Sequence, residues 1–246
     1  MSEQQKHFPE FYVTAPQPCP YLAGRLERKL FTHLTHDKPP ALVDNLLKGG
    51  FRRSQNIAYM PYCEGCQACI SVRVLVDEFT PSRSLRRVLE LNRDLCARRL
   101  QSTPTAEQYQ LFRAYIDARH ADGGMADMTV LDYAMMVEDS IVDTFVTEYR
   151  LGTPAAGGWR DQRRLVATAL CDRLSDGVSM VYSFYDPQAL RRGLGTYMIV
   201  DHIYYVRRLG LPYLYLGYWI QGSPKMSYKR RFQPQEQLTG NGWVRA

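Results

Sequence analysis

Apolar residues along the second half of the chain follow two different periods, and the switch between them sets out a fold. Residues 178–185 (VSMVYSFY) are dense in Val, Tyr and Phe and predict a strand, broken at Asp186-Pro187. Beyond Gly193 and Gly195, apolar positions at Tyr197, Ile199, Val200, Ile203, Tyr204, Val206 and Leu209 have helical spacing. Gly210 and Pro212 end that helix, residues 213–219 predict a second strand, and Pro224 opens a short basic helix. A strand–helix–strand crossover of this length favours parallel pairing.

The same reading extends upstream. Residues 165–174 predict a strand, joined to the next by a tight turn at Asp176-Gly177, and 141–151 predict another. The second half is thus strand, strand, strand, helix, strand, helix, a mixed sheet with a central crossover. Helical patterns cover 41–47 (closed by Gly49-Gly50), 82–95 (capped by Ser82 or Ser84), 105–119 and 130–140, and 70–76 alternate as a strand does. Leu22, Leu26, Leu30 and Phe31 suggest one short element, and the proline-bearing first 18 residues an extended lead-in. The expected class is α+β, with an N-terminal region over 1–100 carrying a cysteine loop and a catalytic domain over 101–246.

Composition narrows the class without naming a chemistry. Of 246 residues, 45% are hydrophobic and 23% charged, as in ordinary soluble domains. No apolar run reaches membrane-spanning length and the N-terminus lacks an apolar signal core, so a cytoplasmic protein is expected. The net charge of +6 favours an anionic partner such as RNA.

Five patterns carry candidate chemistry. The turn at Gly193 and Gly195 places free backbone N–H groups and the positive end of a helix dipole beside the sheet, which suits a phosphate. Arg52-Arg53-Ser54 follows a double glycine and could grip an anion, or form a solvated turn. Cys63, Cys66 and Cys69 form two CxxC units sharing a cysteine; with Cys19 they supply four thiols, enough for zinc or an iron–sulfur cluster, or else a loop of reduced thiols. Arg83, Arg86, Arg87 and Arg93 lie on adjoining helical turns and could track phosphates or form a solvated face. His120 and Asp122 are a close His/acid pair at a helix end, where a cap is the usual role.

The blocks CPYLAGR, GGFRRS, YCEGCQAC, PSRSLRR followed by NRD, RHADGGM, SFYDP, GLGTY and LGYWIQGSPKMSYKRRFQP occur in this order from Cys19 to about Trp243. Their order and spacing resemble the bacterial aspartate/glutamate leucyltransferases, relatives of the arginyl-tRNA–protein transferases. The resemblance implies an N-acetyltransferase-like mixed sheet with helices on both faces. It implies leucyl-tRNA as co-substrate, no obligatory cofactor, and acceptor proteins that begin with Asp or Glu and are thereby marked for N-degron degradation, with neither membrane nor DNA as partner. For that reaction the acidic acceptor asks for a cationic pocket, with Arg52, Arg53 and Lys225 as candidates and Ser54 and Tyr228 as hydrogen-bond partners. Tyr218, Trp219 and Met226 are candidates for the leucyl slot. Arg83, Arg86, Arg87, Lys229 and Arg230, with the turn at Gly193 and Gly195, are candidates for the tRNA. Asp186 and His120 are candidate general bases. Three positions depart from the family patterns: Gln55 stands where glycine is expected, Arg191-Arg192 leads into GLGTY where serine often precedes it, and Leu190 replaces the Gln or Arg of the acyl-CoA-binding turn. The competing readings are an acetyl-CoA-dependent N-acetyltransferase and a non-catalytic, cysteine-dependent RNA-binding module.

Overall fold

The computed structural model describes residues 9–35, 38–121, 123–152 and 163–246. Asp122 and most of the Gly/Pro/Ala-rich stretch after residue 152 lie outside them. A small N-terminal sheet joins β1 (Tyr12–Val13), β4 (Lys29–His33), β6 (Ile57–Pro61) and β5 (Arg52–Ser54) in that order, while β2 (Gln17–Pro18) pairs with β3 (Leu26–Glu27). Helix α1 (Pro40–Lys48) precedes β5.

The main sheet is built from β7 (Cys69–Leu75), β8 (Leu95–Gln101), β9 (Thr144–Leu151), β10 (Leu165–Leu174), β11 (Gly177–Tyr185), β12 (Tyr213–Ile220), β13 (Gln235–Thr239) and β14 (Gly242–Arg245). Its eight strands run in the order β14-β13-β7-β12-β11-β10-β9-β8. Only β11 and β12 pair in parallel, because α5 (Leu194–Arg208) carries the chain across between them.

Side-chain alternation along the strands builds two cores. Phe145, Tyr149 and Ala169 face α5 and α2 (Arg83–Leu91), meeting Met198, Ile203, Val206 and Leu85. Their strand neighbours Val146 and Leu170 face the other way, toward Phe112, Ile116, Tyr133 and Val137 of α3 (Ala106–Arg119) and α4 (Val130–Glu138). A third cluster ties α1 and the small sheet to the large one through Val43, Leu47, Ala58, Leu174 and Tyr215. Each such side chain contributes about 1.5–3 kcal/mol by leaving water. Hydroxyls cap the helices: Ser82 accepts from the Leu85 N–H, and Thr105 and Thr129 each close a capping box.

The expected order of strands and helices over the second half is present, with helices on both faces of a mixed sheet. Three features differ from the sequence expectation. The helix expected over 82–95 stops at Leu91, and Leu95 begins β8, an edge strand whose arginines hide its pattern. β13 and β14 extend the opposite edge, and β4, β5 and β6 form a sheet where only one short element was expected. β7 and all but the last residue of β8 come from the first hundred residues, so the main sheet crosses the division drawn at residue 100. Among the described residues no helix is long and apolar enough to cross a membrane.

Candidate active site

The one parallel strand pair among the described residues opens part-way along its length. β11 and β12 pair only at Gly177 with Tyr213, Val178 with Leu214 and Ser179 with Tyr215, although both strands continue to Tyr185 and Ile220. Gly217 marks the opening: its φ of +71° is a left-handed conformation, and the register with β7 shifts between Tyr215 and Gly217.

Arg52 occupies this opening. Its Nη2 donates to the carbonyls of Met180 and Val181 at 2.8 and 2.9 Å. A Cβ on Gly217 would stand 2.1 Å from Arg52 Nη1, so only glycine admits the guanidinium. Nη1 itself is buried and has no hydrogen-bond partner among the described residues. An unmet buried donor costs about 1–3 kcal/mol, more when charged.

Lys229 lies beside it, 7% exposed, on the 3-10 helix Pro224–Arg231 that follows β12. Its ammonium donates to the Tyr218 carbonyl at 2.5 Å. Burial, and then the charge of Arg52, push this amine down to about 7. Tyr218 braces the opening from β12, its hydroxyl directed at the carbonyls of Gly50 (2.9 Å) and Tyr59 (3.2 Å). Burial raises that hydroxyl well above its ordinary range.

An aromatic wall continues from the end of β11. Tyr185 lies 5.0 Å from the Tyr115 ring, which in turn lies 5.4 Å from His120 at the end of α3. Tyr228 feels both Arg52 and Tyr185, and burial raises its hydroxyl. Burial, then Arg119 and Lys225, hold His120 below its ordinary range, so its imidazole is neutral near pH 7. Lys225 and Ser54 are exposed, and Met226 is half-buried.

The structure therefore brings Arg52, Lys229, Tyr218 and Tyr228 together, with Lys225 and His120 along the wall. Four sequence assignments are corrected. Arg53 points to the opposite face of β5 from Arg52 and is locked to Asp172, both side chains 1% exposed or less. Lys229 is buried and cannot meet a phosphate on the outer surface. Trp219 packs on the core beneath α5 with Arg230 5.3 Å over its ring, while its neighbour Tyr218 faces the small sheet, so the two do not line one slot. Asp186 is a cap and an ion-pair partner: it accepts from Gln188 N–H at 2.9 Å and binds Arg164. The path of the chain after β12 is what turns Lys229 inward.

A basic face borders the wall. Arg83, Arg86 and Arg87 are exposed on α2. Arg231 links α2 to the start of α5 through Ser84 (3.3 Å) and Thr196 (3.5 Å). Gly193 starts α5 at φ +63°, and a Cβ on Gly195 would touch the Tyr185 ring at 3.4 Å, which places the helix start against the wall.

Cys19, Cys63, Cys66 and Cys69 line one pocket with Tyr21, Arg25 and Tyr59. Arg25 donates to Cys66 Sγ at 3.1 Å. Burial and the other three cysteines push the Cys69 thiol up to about 12. Among the described residues no three His, Cys, Asp or Glu side chains are arranged to hold a metal ion.

Residues 107–239 match the C-terminal family model of the arginine-tRNA-protein transferases, and residues 17–87 match the N-terminal one. The chain belongs to this family. Among relatives, an aspartate/glutamate leucyltransferase of Xanthobacter autotrophicus is 60% identical over 246 residues, spanning 100% of this chain and 99% of the relative. The aspartate/glutamate leucyltransferase of Bradyrhizobium diazoefficiens is 58% identical over 245 residues, spanning 100% and 95%. Among solved structures, L-PGS from Bacillus licheniformis superposes with a TM-score of 0.51 at 13% identity, covering 69% of this chain and 57% of that one, a likeness of fold.

Proposed function

We propose that the protein transfers leucine from leucyl-tRNA to the α-amine of proteins beginning with Asp or Glu, in the cytoplasm, on an N-acetyltransferase-like fold with a cysteine-containing N-terminal region. The observation that carries the acceptor half is Arg52: a guanidinium held in the opening between β11 and β12 with Nη1 buried and unpartnered. A carboxylate is the planar acceptor such a donor fits. Leu190, standing in place of the Gln or Arg of the acyl-CoA-binding turn, weighs against acetyl-CoA as donor.

The reaction turns an ester into an amide. The acceptor amine attacks the leucyl carbonyl carbon, the carbon–oxygen bond to the tRNA breaks, and the amine's surplus proton passes to the ribose oxygen, which leaves as a hydroxyl. A free α-amine has a pKa of about 7.7–8, so a fraction is neutral at cell pH without a strong base. Holding amine and ester in register can then supply much of the acceleration. Of the two candidate bases, Asp186 is committed to its cap and its arginine; neutral His120 is the candidate that remains. The basic face of Arg83, Arg86 and Arg87 with the start of α5 suits the tRNA end, and Met226 is the remaining candidate for the leucyl slot.

The test mixes purified protein with tRNA carrying labelled leucine and peptides starting with Asp, Glu or Ala, with acetyl-CoA as rival donor. Label on the Asp and Glu peptides alone is the expected result. Acetyl transfer, or label on the Ala peptide, overturns the reading.

A further inference from the structure

Arg52 stands in the opening between β11 and β12 with Lys229 beside it, and neither has a carboxylate. Arg52 is bonded there only to backbone carbonyls, and Lys229 only to the Tyr218 carbonyl. Among the described residues neither forms an ion pair, whereas Arg53, one residue away, is matched by Asp172. Buried charges are ordinarily paired, and two like charges left side by side destabilise the fold. Such an arrangement persists where an anion from outside completes it.

We propose that Lys229 is the second pole of the acceptor site and that it and Arg52 together hold the side-chain carboxylate of the acceptor's first residue. This rests on the reading of function above and assigns to Lys229 a role distinct from tRNA contact. Arg52 offers the unpartnered Nη1, and the Lys229 ammonium has donors beyond the one used by Tyr218. An uncharged acceptor side chain would leave both cations unmet, so the pair also discriminates against neutral N-termini.

The pair makes the grip sensitive to pH. The groups facing Lys229 are Arg52 from β5, Cys69 from β7, the Tyr218 carbonyl from β12, the Gln235 amide beside its backbone carbonyl, and Tyr228 on its own helix. None is an anion near neutrality: Cys69 titrates at about 12 and Tyr228 above the ordinary tyrosine range. With its amine lowered to about 7, Lys229 is charged below that pH and neutral above it. Carboxylate affinity is therefore full below pH 7. It falls by up to about tenfold per pH unit above, levelling off where the bound complex also loses the proton.

The test is acceptor kinetics from pH 6 to 8.5 with an Asp-starting peptide, on the wild type, Lys229→Met and Lys229→Arg. At pH 6 Lys229→Met raises the acceptor KM by about thirtyfold or more, with the KM for leucyl-tRNA unchanged. Toward pH 8.5 the wild type approaches Lys229→Met, while Lys229→Arg, which stays charged, keeps a flatter KM. The arginine variant also cancels the titration of the peptide's own amine. A Lys229→Met enzyme with the wild-type KM at pH 6, or a loss confined to kcat or to the tRNA KM, overturns the proposal. Should Lys229→Met not fold, the wild-type profile decides: a KM flat above pH 7 overturns it, and a rise above pH 7 that Lys229→Arg flattens supports it. A wild type that labels no acidic peptide fails the function reading itself, whereas labelling with a flat KM fails only this inference.

Discussion

Arg53 donates through Nε and Nη2 to the two carboxylate oxygens of Asp172, each at 2.7 Å, inside a site where both side chains are at most 1% exposed. Thr144 Oγ1 adds a hydrogen bond to the same carboxylate at 2.7 Å. This pair fastens the small sheet to β10 and so fixes where Arg52 points. Removing one partner strands a buried charge, which costs about 3–5 kcal/mol. Arg53→Met is therefore expected to lower the denaturant midpoint sharply, and R53M/D172L to recover most of the loss. Equal stability of R53M and wild type would contradict the role given to the pair.

Gly217→Ala tests the close approach. The added methyl would fall 2.1 Å from Arg52 Nη1, at a backbone φ of +71°. The strain costs about 1–2 kcal/mol, and the guanidinium has to leave the opening. The expected outcome is a folded enzyme, by circular dichroism, whose acceptor KM rises at least tenfold. An unchanged KM would mean that Arg52 does not serve the acceptor.

The central strands and helices were legible because their periods are strong: 178–185, 194–208 and 213–219 are set by Val, Tyr and Ile at spacings that only one element type satisfies. β8 and β13 were not, since LCARRLQ and QEQLT carry charged and polar residues, on the edge strand β8 and on the strand next to the other edge. At the opening, the blocks name residues that the fold brings together but not the orientation of each side chain. Arg52 and Arg53 are adjacent in sequence and differ only in which face of β5 they occupy. Lys229 and Arg230 are likewise adjacent, one buried under Tyr218 and the other lying over Trp219. Such choices depend on the register of β5 and on the path after β12, which come from long-range pairing.

Gln55 offers a gain in stability. It has a φ of +51° in the two-residue connection between β5 and β6, and glycine is what the family pattern leads one to expect there. A non-glycine residue in this region loses about 1–2 kcal/mol, partly offset by the chain entropy that glycine costs. Gln55→Gly is expected to raise Tm by about 1–3 °C. A lower Tm would mean that the Gln55 side chain contributes more than its backbone costs.

The cysteine pocket should react unevenly. The Ala68 N–H, opposed by burial and then helped by Arg25, holds the Cys66 thiol below its ordinary range, while Cys69 sits at about 12. The thiolate is the reactive form. With iodoacetamide at pH 7.5, peptide mapping is expected to show Cys66 alkylated well before Cys69. Adding zinc tests the ligand set directly: protection of Cys19, Cys63, Cys66 and Cys69 together, with a stoichiometric metal, would contradict the placement of the thiols.

The arginines of α2 make a separable prediction, because they lie outside the opening. Each phosphate they neutralise releases counterions, so the logarithm of tRNA affinity falls with the logarithm of salt by about 0.9 per duplex contact. The triple variant R83Q/R86Q/R87Q is expected to raise the KM for leucyl-tRNA at low salt and to reduce the salt slope by roughly 2–3. Its acceptor KM should match the wild type, since Arg52 and Lys229 are untouched. Lys229→Met is expected to do the reverse, changing the acceptor KM and leaving the salt slope alone. A triple variant with the wild-type slope would remove α2 from the tRNA path and leave Arg231 and the start of α5 as the groups to test next.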